Sequence, residues 1–427
     1  MSYEVAGMMV RDGYKMTEIG VIPDEWDACP ISEFCITSSG GTPNRKRPEY
    51  YLGGTIPWVK TGELKSKYLI DTEEKITKDA LKNSSAKLFP VNTLLVAMYG
   101  ATIGKSSILK VSAASNQACC AITCNPKKAD FEFLYYALNH RVDKLVELSA
   151  GGAQPNISQQ IISSFLVPLP PFPEQQKIAD ILSTVDEHIS EIESLIEKTK
   201  VLKQGMMQRL LTKGIGHTEF KDTEIGRIPV EWEVSSLSKF ASIYRGASPR
   251  PINDPKWFTD KGYIGWIRIA DVTRSKKYLF QTTQYLSSEG VSKSRLVDNG
   301  KLIMSICGTI GRPIIVKTPS CIHDGFIVFE DTDNHIVDTE FLYYWVLQHE
   351  EYFRSQGQKG TQANINTGIV GNTIIALPLL LEQQKIAAYL STIDERIDNY
   401  QTKLAALTRL KTGLMQQLLT GKIQVKT

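Results

Sequence analysis

The sequence "PLPPFPEQQKIADILSTVDEHI" occupies residues 168–189, and a near copy, "PLLLEQQKIAAYLSTIDERI", occupies residues 378–397. After the shared string EQQKIA, apolar residues recur in alternating steps of four and three, which is typical of a coiled-coil seam. The pattern predicts two long amphipathic helices. Their seam positions are Ile178, Leu182, Val185, Ile189, Ile192 and Ile196 in the first copy, and Ile386, Leu390, Ile393, Ile397, Tyr400, Leu404 and Leu407 in the second.

The sequence contains signals for the start and the end of the two predicted helices. Pro173 suits a first helical position, and Glu174 complements the positive end of the helix dipole. Residues 213–214 (Lys-Gly) and 421–422 (Gly-Lys) supply stop signals. Each helix would run for about 38 residues, or about 57 Å. Because neither can bury its stripe alone, we expect the two to pair antiparallel with approximate two-fold symmetry. Parallel pairing, or pairing between two chains, is the alternative.

Each predicted helix ends one copy of a longer repeat. "TEIGVIPDEW" (17–26) returns as "TEIGRIPVEW" (223–232), and further strings follow in the same order at an offset of about 207 residues. That period is the length of a domain and is too long for a solenoid repeat. The sequence therefore predicts a first domain at 1–172, a central helix at 173–213, a second domain at 214–380 and a C-terminal helix at 381–427.

The interior of each repeat mixes strand and helix patterns. Runs such as "TLLVAMY" (93–99), "CCAIT" (119–123) and "KLIMSI" (301–306) are rich in residues that favour strands. The segments around the two "FLYY" strings (133–136 and 341–344) read as helices. Strands and helices without regular alternation predict the α+β class.

Composition limits the class of protein. A chain of 427 residues exceeds a single core, and its net charge of +3 requires any nucleic-acid contact to be local. Seven cysteines without a CxxC pair favour a cytosolic chain without a zinc site. The apolar runs are too short for a membrane helix, and the N-terminus carries no secretory pattern, so no membrane partner is expected.

Three motifs suggest catalysis, but each departs from its pattern. "GATIGKS" (100–106) has one residue too few between its glycines for a phosphate loop, so a hairpin turn is favoured. "LPPF" (169–172) lacks the polar first residue with which amino-methyltransferases hold their target. A metal-dependent nuclease at Asp24 and Glu63 would need clustered carboxylates and a lysine that orients water, but the second copy has Asp271-Val272-Thr273 at this place, with no lysine. We therefore predict no catalytic site and no metal site.

Basic residues recur at matching places in both repeats, close to glycines and aromatic residues. Loops of this kind suit phosphates and groove edges, and side-chain amides suit adenine. We therefore predict DNA contacts from Arg45, Lys46, Arg47, Lys60, Lys105, Gln154 and Asn156 in the first copy, and from Arg250, Arg268, Arg274, Lys276, Arg312, Gln362 and Asn364 in the second.

The ordered, duplicated set of motifs covers nearly the whole chain, and it resembles the specificity (S) subunits of type I restriction-modification systems. The resemblance rests on "TEIGxIPxEW", "W-V/I-K/R", "T-I-G-K/R" and, above all, "EQQKIAxxLSTxDExI". It implies two target-recognition domains, separated by the antiparallel helices, that each read one half of a split site in double-stranded DNA. It also implies two methyltransferase (M) subunits carrying S-adenosylmethionine and two motor-nuclease (R) subunits using ATP and magnesium. Those cofactors would belong to the partners.

Two functions of other classes remain as alternatives: a stand-alone site-specific nuclease, and a structural coiled-coil scaffold. For the favoured function, the identical polar strings suggest a docking role. We expect each copy to bind one M subunit through Glu174, Gln175, Gln176 and Lys177, and through Glu382, Gln383, Gln384 and Lys385.

Overall fold

The computed structural model describes residues 11–149, 156–260, 262–330, 332–333, 335–357 and 365–425. The chain forms two compact units. The first unit comprises Met1–Glu193 with Thr402–Thr427, and the second comprises Ser194–Gln401. Within the described residues, no helix is long and apolar enough to cross a membrane.

The first unit contains strands and helices in irregular order. Its strands are β1 Tyr14–Thr17, β2 Gly20–Pro23, β3 Asp27–Pro30, β4 Cys35–Ser39, β5 Ile56–Val59, β6 Tyr68–Leu69, β7 Lys75–Ile76, β8 Leu88–Phe89, β9 Leu94–Ala97, β10 Ser106–Leu109, β11 Ala113–Ser115, β12 Cys119–Cys124 and β13 Leu166–Leu169. Its helices are α1 Lys78–Lys82, α2 Phe131–His140, α3 Val142–Glu147, α4 Gln159–Ser164 and the first part of α5, which spans Phe172–Lys213.

The second unit repeats this order. Its strands are β14 Phe220–Thr223, β15 Gly226–Pro229, β16 Glu233–Ser236, β17 Ser242–Arg245, β18 Phe258–Thr259, β19 Gly265–Ile267, β20 Tyr278–Leu279, β21 Gln284–Leu286, β22 Arg295–Val297, β23 Leu302–Ser305, β24 Pro313–Val316, β25 Ser320–Ile322, β26 Phe326–Glu330 and β27 Ile374–Leu377. Its helices are α6 Ile269–Arg274, α7 Ser288–Ser292, α8 Thr339–Gln348, α9 Glu350–Ser355, α10 Thr367–Gly371 and the first part of α11, which spans Leu380–Leu418.

Sheet topology confirms the duplication and the α+β class. The first unit has a five-stranded sheet of order β4-β12-β9-β10-β6, and the second has the equivalent order β17-β26-β23-β24-β20. A further sheet, β7-β5-β11-β8, corresponds to β18-β21-β19-β25-β22 with one added strand. The parallel pairs also correspond, since β10 pairs with β6 as β24 pairs with β20.

The central strands β9 and β23 of the first-named sheets are buried on both faces, which explains their continuous apolar runs. In β9, Leu94 and Val96 pack against α2 and α4, whereas Leu95 and Ala97 pack against the second sheet. Successive side chains of a strand point to opposite faces of the sheet. A run of four apolar residues therefore contributes two side chains to the core on each face. Strand β23 repeats the arrangement in the second unit, with Leu302 and Ile303 on opposite faces.

The two long helices run antiparallel to each other within each unit, which is the arrangement expected from the sequence and not the parallel alternative. In the first unit, Ile178 near the start of α5 packs with Leu418 at the end of α11. In the second unit, Ile386 near the start of α11 packs with Leu210 near the end of α5. The helices measure 42 and 39 residues. Helix α5 begins one residue before Pro173, and α11 stops three residues before Gly421.

Candidate nucleic-acid interface

The loop that carries Arg45, Lys46 and Arg47 packs against Trp58, near the end of β5. The buried Trp58 indole donates a 3.0 Å hydrogen bond to the carbonyl of Gly41, and Tyr51 packs edge-on to the indole. Gly41 has to be glycine here, because a Cβ atom would lie 2.2 Å from the carbonyl oxygen of Ser85. The start of the loop, just after Gly40 and Gly41, is therefore held against the sheet.

Arg45 and Lys60 share one carboxylate. Glu74 accepts hydrogen bonds from Arg45 Nη1 at 2.6 Å and from Lys60 Nζ at 3.0 Å. The Arg45 guanidinium also lies within 5 Å of the ring centroids of Tyr51 and Trp58. Hydrogen bonding by Arg45 lowers the pKa of Glu74, and hydrogen bonding to Glu74 raises the pKa of Lys60. These two predicted DNA contacts are held in place and partly neutralised.

The adjacent cations are less constrained. Lys46 is exposed, and within the described residues its ammonium group has no hydrogen-bond or ion-pair partner. Arg47 is exposed and donates to the hydroxyl of Tyr50 at 3.1 Å. Of the cations in this loop, these two are therefore the most available to a phosphate.

The second unit uses different partners at the corresponding places. Arg250 pairs with Asp324 at 2.8 Å, and Arg268 donates to Gln284 at 3.1 Å. Both arginines are exposed. Asp324 also accepts from Ser248, so one carboxylate ties the second basic loop to the turn before β26. The two units thus share a framework but differ in the loops that present their cations.

Three further predicted contacts are bound within their own unit. Arg274 pairs with the buried Asp271 at 2.9 Å, and Arg312 lies 3.6 Å from Glu350. Lys276 donates to Gln401 and pairs with Asp398, both on α11. The sequence interpretation treated Lys276 as part of a free basic loop, whereas its ammonium group ties the second unit to its own helix segment.

The predicted hairpin at "GATIGKS" is confirmed. Strands β9 and β10 pair antiparallel, and a 3-10 turn at Gly100–Thr102 joins them. Gly100 and Gly104 adopt positive φ values of 80° and 78°, which explains the two glycines. Lys105 is exposed beside this turn, and Asn156 bridges to Tyr99 at its base. Gln154, Gln362 and Asn364 lie outside the described residues.

The carboxylates considered for a nuclease do not converge. Glu63 accepts from the backbone nitrogens of Lys60 and Glu73, at 2.7 and 2.9 Å, and so caps its own turn. Asp24 is exposed in a separate turn after β2. Across the described ranges, no group of three His, Cys, Asp or Glu residues is placed to hold a metal ion.

The repeated string EQQKIA divides into a buried half and an exposed half. Glu174 accepts from the Trp26 indole at 2.9 Å and from the backbone nitrogen of Val425 at 3.0 Å. Gln175 accepts from the backbone nitrogen of Asp130 at 2.9 Å and donates to the carbonyls of Lys128 and Pro170. Both side chains are buried, and their polar atoms fix α5 to the first unit.

The second copy repeats these contacts. Glu382 accepts from the Trp232 indole at 3.0 Å and from the backbone nitrogen of Ile215 at 2.8 Å. Gln383 is fully buried and bonds to the backbone of Asp338, Ile336 and Pro378. The polar atoms of Glu174, Gln175, Glu382 and Gln383 are thus engaged inside their own unit. Gln176, Lys177, Gln384 and Lys385 are exposed, and docking of a partner by the repeated string stays a prediction.

A buried ionic cluster, which the sequence interpretation missed, explains the shared L-S-T and the following Asp. Lys67 donates to Glu132 at 3.0 Å, to the Tyr136 hydroxyl at 2.9 Å and to Ser183 at 2.7 Å. Tyr136 in turn donates to Asp186 at 2.6 Å. The cluster thus joins the sheet, α2 and α5 of the first unit.

The second unit contains the matching cluster. Lys277 donates to Glu340 and to Ser391, each at 2.7 Å, and Tyr344 donates to Asp394 at 2.7 Å. Each cluster also includes a lysine from the other long helix. Lys411 lies 2.6 Å from Asp186 in the first unit, and Lys203 lies 2.6 Å from Asp394 in the second.

Burial and hydrogen bonding oppose each other in these clusters. Burial lowers the pKa of Lys67 and of Lys277. For Glu132 and Glu340, burial opposes ionisation, but hydrogen bonds from lysine, tyrosine and serine outweigh it and lower the pKa of both carboxyls. The short contacts favour the ionised form of each lysine–glutamate pair.

Two similar units, each fixed to an antiparallel pair of helix segments and each presenting exposed cations on its loops, define a duplicated α+β recognition protein. The chain belongs to the type I restriction modification DNA specificity domain family, whose model matches residues 23–204 and 229–409.

Relatives in this family match either nearly the whole chain or part of it. The type I restriction enzyme MjaVIII specificity subunit of Methanocaldococcus jannaschii is 28% identical over 425 residues, which cover 95% of this chain and 94% of that protein. The EcoR124I/EcoR124II specificity subunit of Escherichia coli is 27% identical over 170 residues, covering 39% of this chain and 42% of that protein. The solved type I S subunit of M. genitalium has a TM-score of 0.58 at 16% identity, covering 95% and 98% of the two chains. That likeness supports the fold.

Proposed function

We propose that the chain is the DNA specificity subunit of a type I restriction-modification enzyme, in which each unit contacts one half of a bipartite site in double-stranded DNA. The observation that carries this proposal is the contrast between constant and variable parts. The junctions of the two units with their helices repeat the same main contacts, since the hydrogen bond of Trp26 to Glu174 recurs between Trp232 and Glu382. The loops that present the cations differ, and different loops can read different half-sites.

The exposed cations divide into two roles. Lys46, Arg47 and Lys105 suit phosphate contacts, which position a protein on DNA without reading its sequence. Arg250 and Arg268 have planar guanidinium groups, which can donate two hydrogen bonds to one guanine edge. Arg45 and Lys60, paired through Glu74, would present a fixed surface at the same loop. The chain would thus supply sequence specificity, while partner subunits supply the chemistry.

Helices α5 and α11 would set the number of unspecified base pairs between the half-sites. Removing one heptad from each helix preserves the phase of the seam and leaves both ionic clusters in place. Residues 192–198 of α5 lie between Asp186 and Lys203, and residues 399–405 of α11 lie between Asp394 and Lys411. The double deletion should change the spacer and leave both half-sites intact. Altered half-sites with an unchanged spacer would refute the role of the helices.

The partners in this proposal are two M subunits, which bind S-adenosylmethionine, and two R subunits, which use ATP and magnesium, in the cytoplasm. Docking would use the exposed residues Gln176, Lys177, Gln384 and Lys385. They occupy matching positions on two helices, so two copies of the same partner would find matching surfaces.

The docking role can be tested by reversing charge. Lys177→Glu with Lys385→Glu should weaken co-purification of the M subunit, because both lysines are exposed and a reversal costs little folding stability. Lys198→Glu is the matched control, since Lys198 is an exposed lysine on α5 outside the repeated string. If all these variants retain M equally well, docking lies elsewhere.

A further inference from the structure

Cys35 and Cys124 lie opposite each other on neighbouring strands of the first unit. They are direct partners in the antiparallel register of β4 and β12, and their sulfur atoms are 3.3 Å apart. Both are free thiols. Directly opposed residues on antiparallel strands have Cα atoms within the range that a disulfide spans, and the S–S bond is about 2.05 Å long. The two sulfurs therefore need to approach by only about 1.3 Å to bond.

The pair is positioned at the border of the five-stranded sheet, because β4 is its edge strand. Cys35 is buried, whereas Cys124 is partly exposed and offers a route for a reagent. The Cys35 thiol donates its proton towards the sulfur of Cys124. Hydrogen bonding to Cys124, together with burial, raises the pKa of Cys35. Cys124 is thus the sulfur that meets an oxidant first.

Among its described residues, the second unit has no such pair. The corresponding first pair of the β17–β26 ladder is Ser242 with Glu330. Cys307 and Cys321 of the second unit lie on segments that the register does not oppose. Oxidation at this position would therefore act on one unit of the two.

We propose that Cys35 and Cys124 form a redox-sensitive dithiol that closes to a disulfide in the presence of an oxidised small thiol such as glutathione disulfide. The Cys124 thiolate attacks one sulfur of glutathione disulfide, forming a mixed disulfide and releasing one glutathione thiolate. Cys35 then loses its proton to water and attacks the Cys124 sulfur, releasing the second glutathione. Two protein thiols are oxidised and one glutathione disulfide is reduced to two glutathione thiolates, which take up, through solvent, the two protons that the protein thiols lose.

Closure would tie the edge strand to the sheet. The two cysteines are 89 residues apart, so the loop they enclose contains most of both sheets of the first unit. Restricting a loop of this length in the unfolded chain favours the folded unit. Strand β4 also leads directly into the loop that carries Lys46 and Arg47. The ratio of oxidised to reduced glutathione would therefore affect the stability of the first unit through this dithiol.

The test uses the full chain in defined mixtures of reduced and oxidised glutathione. Free thiols are blocked with N-ethylmaleimide, and peptides are mapped by mass spectrometry. We expect one intramolecular link between the peptides containing Cys35 and Cys124, reversed by dithiothreitol. The melting temperature of the oxidised chain should rise by about 5 °C or more. Cys35→Ser and Cys124→Ser should each abolish the link and the rise.

Cys29→Ser is the matched control, because Cys29 is also partly exposed and packs against the same core. This variant should behave as the wild type. A stable glutathione adduct on Cys124 without the internal link would overturn the proposal, as would a link that uses Cys29. The mapping requires no DNA binding, so its outcome is independent of the proposed function.

Discussion

The indole nitrogen of Trp26 donates a 2.9 Å hydrogen bond to the carboxylate of Glu174, 148 residues further along the chain, and Trp232 makes the same contact with Glu382. Each contact joins the opening motif of a unit to the first turns of its long helix. Packing thus explains why the Glu and the first Gln of EQQKIA are identical in the two copies. The second Gln and the Lys are exposed, and for these two residues we propose that binding of a partner explains the identity.

Removing the indole donor should weaken the first unit. Trp26→Phe keeps most of the buried ring but leaves the Glu174 carboxylate with one donor fewer, and we expect a loss of about 2 kcal/mol in the free energy of unfolding. Urea unfolding measures it. Lys177→Gln, three residues along the same helix but exposed, should cost less than about 0.5 kcal/mol. Equal losses for the two variants would contradict the role of the contact.

The cross-helix ion pair can be measured by a double-mutant cycle. Asp186→Asn and Lys411→Met, alone and together, should reveal a coupling of roughly 1 kcal/mol, because both side chains are largely buried at 20% and 28% exposure. The exposed pair Lys144 and Glu147 should show less than about 0.5 kcal/mol. Coupling no larger than in this surface pair would show that Asp186 and Lys411 do not stabilise the junction.

Glu132 and Glu340, which are partly buried in the ionic clusters, should make the free energy of unfolding depend on pH in the acid range. The pKa values of Glu132 and Glu340 are lowered below the ordinary 4.5. A carboxyl with a lowered pKa contributes stability that is fully present above its unfolded pKa and is lost as the pH falls through its folded pKa. The free energy of unfolding should therefore fall from about pH 5 downwards.

Glu132→Gln should remove part of this dependence, so the stability of the variant falls less between neutral and acid pH. Urea unfolding at several pH values below 7 measures the slope. Glu193→Gln, at an exposed position of α5, serves as the control and should leave the slope unchanged. Identical slopes for wild type and Glu132→Gln would exclude the ionised cluster of the first unit as a source of the acid dependence.

Lys46 and Lys276 should differ in their effect on DNA binding. Lys46→Ala removes an exposed cation whose ammonium group has no partner in the described part of the chain, and it should lower the slope of log affinity against log salt by about 1. Lys276→Ala should leave that slope unchanged, because its ammonium group is bound to α11. Binding is measured with duplex DNA and the chain assembled with its partners. The reverse ranking would show that Lys276, and not Lys46, contacts phosphate.

The sequence predicts the parts of the fold that depend on periodicity and repetition. The heptads predict both helices and their pairing, because neither helix can bury its apolar stripe alone, and the position of each helix after its own repeat favours the antiparallel course. The apolar runs predict central strands such as β9, β12 and β23. The breaks at Arg141 and His349, which end α2 and α8, carry no glycine or proline signal.

The junctions are harder to predict, because their contacts join distant segments. Lys67, Glu132 and Asp186 form one cluster only when a strand, α2 and α5 are folded together. The repeated string "LSTxD" is the sequence feature that indicates this cluster. Its Ser and Asp lie next to the apolar seam, where a coiled coil alone does not require them. For the basic loops, the sequence predicts exposed cations but not their partners, such as Glu74 for Arg45 or Asp398 for Lys276.

The central claim is that each unit reads its own half of a bipartite site, and exchanging one unit tests it most directly. Replacing residues 233–377 with the matching segment of a relative keeps Trp232, Glu382 and both long helices. Methylated adenines are then mapped in cells that express the chimera with its M subunit. The account predicts that one half-site changes while the other half-site and the spacer stay the same. A change in both half-sites, or in neither, would contradict it.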